Sequence, residues 1–191
     1  MASSSSQRGA ACRAQPTPDQ LACFYKLVDK QVIAGALCRY ARNAELSASA
    51  AVQAEALFGD DSLVVASVRM CESVSLVSLA LKASGAEREA LVRQAWAVLV
   101  SVVLLLLRRL EVNTLLPGGV RDDELNFYAH AQAALRKATN RPVSPPAVLR
   151  ASASTMGYNT LLDAMCRCLD MLRLPWWPAA QKRMVICASR P

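Results

Sequence analysis

Apolar residues along this chain recur every three to four positions, the period of an amphipathic helix, and no run alternates long enough to read as strands. The first helical segment opens at Thr17, with Pro18 at its first position and Gln20 three residues after the cap, a capping box with a favoured proline. Leu21, Phe24, Leu27, Val28 and Ile33 follow, and predict a helix to about Tyr40 with a break near Gly35. A second, Ala- and Ser-rich helix is predicted over 43–57, closed by Gly59. Asp60-Asp61-Ser62 offers a fresh N-cap for a third helix over 62–82, with Leu63, Met70, Val74, Val77 and Leu81 on one side. Ser84, with Glu87 three residues on, repeats the capping-box pattern and opens a fourth helix over 86–112.

That fourth helix contains the most apolar stretch of the chain, Gln94 to Leu107, fourteen residues without a charge between Arg93 and Arg108. A helix of that length is roughly 21 Å long at about 1.5 Å per residue, against about 30 Å of hydrocarbon in a bilayer. Its partner arm has only nine uncharged residues between Glu72 and Lys82. The pattern therefore predicts no transmembrane span, and a helix at the centre of the domain that needs cover on nearly all sides. Either a compact bundle or a homodimer is expected to supply that cover.

A further helix is predicted from Arg121, where Asp122, Asp123 and Glu124 place negative charge at a helix start. The segment 141–146, RPVSPP, interrupts it, and a last long helix is predicted from Pro145–Pro146 toward Leu172, stopped by Pro175. The chain thus divides into a tail, residues 1–16, and a single all-helical domain, 17–191, of about three αα-hairpin units near 17–58, 62–114 and 121–173. The predicted fold class is all-α, either a helix–turn–helix repeat array of the α-solenoid kind or a compact antiparallel helical bundle.

Residues 39–67, RYARNAELSASAAVQAEALFGDDSLVVAS, resemble the second helix and following loop of a tetratricopeptide repeat of the kinesin-light-chain type. Arg39-Tyr40-Ala41 opens the helix, Ala44-Glu45 sits within it, Ala56-Leu57-Phe58-Gly59-Asp60-Asp61 closes it, and Val65-Ala66 begins the next. The next unit is longer than such a repeat, and Leu116-Pro117-Gly118-Gly119 keeps only part of the loop pattern. The resemblance implies a protein-interaction scaffold, with binding in place of chemistry.

Composition narrows the function classes. The chain has 191 residues, 53% of them hydrophobic and 19% charged, enough for a real core and too apolar for wholesale disorder. The net charge of +7 is concentrated in residues 121–191, where ten Lys/Arg face five Asp/Glu. Arg136, Lys137, Arg141 and Arg150 cluster there and are candidate contacts for an acidic partner, RNA or an anionic lipid surface. Trp176 and Trp177, held between Pro175 and Pro178, are candidates for sealing the end of the core or for an aromatic docking patch. The seven cysteines have no disulfide-framework spacing, which points to the cytoplasm or another reducing intracellular compartment with cysteines as small core residues. Residues 1–16 are Ser/Ala-rich, carry Arg8 and Arg13 and no acid, and read as a disordered tail or an organelle transit peptide.

No phosphate-binding loop, dinucleotide fingerprint or H-E-x-x-H is present, and His130 is the one histidine for any triad or metal site. No catalytic, cofactor-binding or metal-ligating residues are therefore assigned, and no cofactor is expected. The expected function is a non-catalytic scaffold whose helical hairpins hold a protein or peptide. The alternative is an anion-binding helical module that uses the basic last third of the chain.

Overall fold

The computed structural model describes residues 15–111 and 121–139. Among them the fold is all-α: five helices and no strand. They are α1 (Pro18–Ala36), α2 (Tyr40–Phe58), α3 (Leu63–Ala80), α4 (Gly85–Glu111) and α5 (Asp122–Thr139).

Local sequence explains most of the boundaries. At the start of α1, Gln20 N–H donates to Thr17 Oγ1 at 3.3 Å and Thr17 N–H donates to Gln20 Oε1 at 2.9 Å, the reciprocal pair of a capping box. At the start of α3, Ser62 Oγ accepts from Val64 N–H at 3.1 Å. Gly59 closes α2 with φ +96°, a conformation open to glycine without a Cβ clash.

The α1–α2 turn differs from the sequence expectation. Helix α1 continues through Gly35 to Ala36, and α2 already begins at Tyr40. Arg39 N–H donates to Ala34 O at 2.9 Å and Cys38 N–H to Gly35 O at 3.0 Å, the two bonds of a Schellman motif, and Cys38 takes the left-handed position at φ +54°. Gly35 serves close packing instead of the turn: a Cβ there would lie 3.3 Å from Asn43 Nδ2, which donates to Ser75 Oγ of α3 at 2.7 Å.

Helices α1 to α4 pack in sequence order, each on the next, and α5 packs back on α1. Where these helices meet, Phe24 of α1, Phe58 of α2 and Phe127 of α5 form a ring cluster, with Phe24 5.3 Å from Phe58 and 6.1 Å from Phe127 between centroids. Ala50, Ala51 and Ala54 of α2 and Val64, Val65 and Val68 of α3 fill the core around it. The small alanines explain how α2 sits tightly between two neighbours.

Because α5 docks on α1, α4 has α3 as its main neighbour and lies at the edge of the array among the described residues. It buries one row, Val92, Ala95, Leu99, Val102, Leu105 and Arg109, and exposes the opposite one. The expectation of a central helix covered on nearly all sides is therefore not met among the described residues: Val100 is 39%, Leu104 51% and Leu107 49% exposed. Both α3 and α4 are long and apolar enough to cross a membrane by length and composition alone; the apolar window of α3 is 61% buried inside the protein, that of α4 33%. The predicted tail, the RPVSPP connector and the helix expected toward Leu172 lie outside the described residues.

Candidate functional site

Four helix ends converge on Glu124, in the first turn of α5. Its side chain is fully buried, as is that of Arg109 but for 4% of its surface, and the two form a bidentate pair: Arg109 Nη1 donates to Oε1 at 2.9 Å and Nη2 to Oε2 at 3.1 Å. Oε1 also accepts from the Leu63 N–H at the start of α3, at 2.8 Å, and from Ser62 Oγ at 3.4 Å. Oε2 accepts from the Arg121 N–H at 3.0 Å, the backward half of a capping box for α5. Arg109 further donates to Asp61 O at 3.2 Å, and Arg121 Nη2 to Phe58 O, the last residue of α2, at 3.1 Å. A carboxylate thus sits against the positive ends of α3 and α5, and guanidinium groups sit at the negative ends of α2 and α4, the arrangement helix dipoles favour. Every oxygen of the glutamate is occupied from within the fold, so the cluster is a structural junction and offers no open valence to a substrate.

A second polar contact joins α1 to α5. His130 Nε2 lies 2.8 Å from Asp29 Oδ1, and Tyr25 stacks on the imidazole at 4.4 Å between centroids. Burial, followed by the negative charge of Asp123, pushes the Tyr25 hydroxyl above its ordinary range and keeps it neutral. Further along, Tyr128 and Ser67 hydroxyls are 2.6 Å apart across α5 and α3. Burial raises the Tyr128 pKa against the lowering effect of that hydrogen bond. Cys71 is free and exposed on α3. Burial pushes its thiol up, while a hydrogen bond with Gln31 acts the other way. A thiol held neutral is a weak nucleophile. Glu72 is buried on α3, where desolvation raises its carboxyl pKa and the nearby Arg69 charge lowers it in part. Arg69 itself pairs with Glu55 of α2.

Of the residues the sequence singles out, Arg136 and Lys137 are exposed in the last turn of α5, where positive charge complements the helix C-terminus. Arg141, Arg150, Trp176 and Trp177 lie outside the described residues, so the basic cluster is described only in this first pair. Cysteines were expected in the core, yet Cys23, Cys38 and Cys71 are all free and exposed. Cys38 occupies the left-handed position of the α1–α2 turn. Among the described residues no group of three or more His, Cys, Asp or Glu side chains is placed to hold a metal ion.

The feature with the surface of a binding site is the outer row of α4. Ala97, Val100, Leu104 and Leu107 are exposed at spacings of three, four and three, between Arg93 at one end and Arg108 beside the other. Trp96, Val98, Val103 and Leu106 are half-buried on its flanks and pack on the core. Sequence reading located this stretch by its lack of charge and did not show which row of it faces outward, because a segment apolar on all sides carries no mark of which side is covered.

Compared with protein-family profiles, with curated proteins and with solved structures, the chain matches none.

Proposed function

We propose that the protein is a non-catalytic interaction scaffold, a tetratricopeptide-like array of helical hairpins that receives a partner on the outer face of α4. The observation that carries this reading is the continuous apolar row from Ala97 to Leu107, exposed on a helix whose other side is firmly seated on the core. An exposed apolar row rimmed by charge is the ordinary signature of a protein contact. The interior polar groups support the same reading from the other direction: Glu124, Arg109 and Arg121 are committed to helix ends.

The test is affinity capture from native cells with the wild-type chain and with Leu104→Glu, washed at moderate salt. Partners retained by the wild type and lost by the variant are the expected result. Capture that ignores Leu104→Glu but collapses with salt, or on neutralising Arg136 and Lys137, overturns it in favour of an anion-binding module.

A further inference from the structure

We infer that the outer faces of α1 and α5, toward their C-terminal ends, form one basic surface that docks on an anionic lipid membrane. This goes beyond the scaffold reading and uses a surface other than the outer row of α4. The two helices run in the same direction: Phe24 meets Phe127 and, farther along both, Asp29 meets His130 at 2.8 Å. Beside Asp29 runs the exposed stripe of α1, in which Cys23, Lys26, Lys30, Ile33 and Leu37 recur at spacings of three and four. On α5, Ala134, one turn beyond His130, is still buried, and Lys137 lies one turn further on the same side with Arg136 next to it, both exposed. The docking of α5 on α1 thus joins lysines of the first helix to the basic end of the last described one, a grouping that no stretch of sequence displays.

These charges have no counter-charge of their own. Asp29 is the one acid in residues 20–36, residues 125–139 hold none, and Asp29 is paired with His130. Among the described residues Lys26, Lys30, Arg136 and Lys137 enter no ion pair. Elsewhere the exposed bases are matched: Arg42 pairs with Glu45 and Arg93 with Glu89. The acids of α5 stand at its opposite end, where Asp123 lies 3.4 Å from Arg121. An uncompensated positive surface attracts a polyanion. Ile33 and Leu37 select lipid over nucleic acid, being 46% and 53% exposed and one turn apart on the lysine stripe. Apolar side chains gain nothing from a phosphate backbone, but they enter the boundary between headgroups and acyl chains while lysines reach the anionic headgroups. Single-stranded nucleic acid would call for an open aromatic ring, and the ring on this side, Tyr25, is stacked on His130.

The experiment is co-sedimentation of the full chain with phosphatidylcholine vesicles, with and without phosphatidylserine. Binding is expected only with phosphatidylserine and should weaken as salt is raised. Lys26→Gln with Lys30→Gln, and separately Arg136→Gln with Lys137→Gln, should each weaken it about tenfold or more. Ile33→Ser with Leu37→Ser should also weaken it about tenfold, whereas Arg93→Gln on α4 should leave it within about twofold. All these positions are exposed, and circular dichroism of each variant checks the fold. If one pair unfolds, the other two decide the matter. A wild type indifferent to phosphatidylserine overturns the inference. So does binding that survives Lys26→Gln with Lys30→Gln, which would place the attraction outside this face. Equal loss on Arg93→Gln would report net charge alone and overturns it as well. Binding indifferent to the Ile33 and Leu37 changes and displaced by polyuridylate RNA overturns it in favour of nucleic acid.

Discussion

Two buried acids, Glu124 on α5 and Glu72 on α3, sit in different surroundings. Glu124 is paired and hydrogen-bonded at both oxygens, so removing its partner leaves a charge stranded in the core. Arg109→Met is expected to cost about 3–5 kcal/mol, and Arg109→Met with Glu124→Leu much less than the sum of the two single changes, in a double-mutant cycle by urea denaturation. Glu72 is governed by desolvation instead. Its folded pKa is raised, so the native state holds a proton that the unfolded chain has released, and stability falls as pH rises from the ordinary glutamate range through the folded value. Glu72→Gln removes that titration. Its denaturation midpoint should decline less than that of the wild type between about pH 4 and pH 8, and a parallel decline would show that Glu72 contributes nothing.

At the scale of the element, the end of α1 is made by backbone geometry alone. The Schellman turn places Cys38 where glycine is favoured, and a left-handed residue with a Cβ costs roughly 1–2 kcal/mol. Glycine gives back part of that gain as unfolded-chain entropy, about 0.5–1 kcal/mol. Cys38→Gly should therefore raise stability by up to about 1 kcal/mol in thermal or urea unfolding, and a loss would show that the side chain is doing something the turn needs. The sequence pointed to Gly35 as the break because glycine is the usual helix stop. The chain spends that glycine on the approach of Asn43 to Ser75, and so the stop falls three residues later, on a cysteine.

For the molecule as a whole, the decisive contact is the docking of α5 on α1. It rests on the ring cluster of Phe24, Phe58 and Phe127, fully or almost fully buried, and on the Asp29–His130 pair, which is partly exposed. Phe127→Ala is expected to cost about 3–5 kcal/mol, against under about 1 kcal/mol for Asp29→Asn. Equal losses for the two would mean that the ion pair, not the rings, holds α5 in place. Among the described residues this docking is also what leaves α4 at the edge, since α5 packs on α1.

The sequence by itself determined the helices: the capping residues Thr17 and Ser62, the glycine at 59, and the apolar period from Leu21 to Leu107 are local signals, and local hydrogen bonds obey them. It placed Glu124 among three acids at a helix start, but nothing in it marked the pairing with Arg109. What only the tertiary structure decided is which faces meet. Arg108 and Arg109 are neighbours of equal chemistry, yet one lies outside and the other is locked to a glutamate fifteen residues on. Along residues 94–107 of α4 no side carries a charge, so periodicity there has little contrast from which to choose an inner face. The position of α3 makes that choice, and the row it leaves uncovered is the surface on which the proposed function depends.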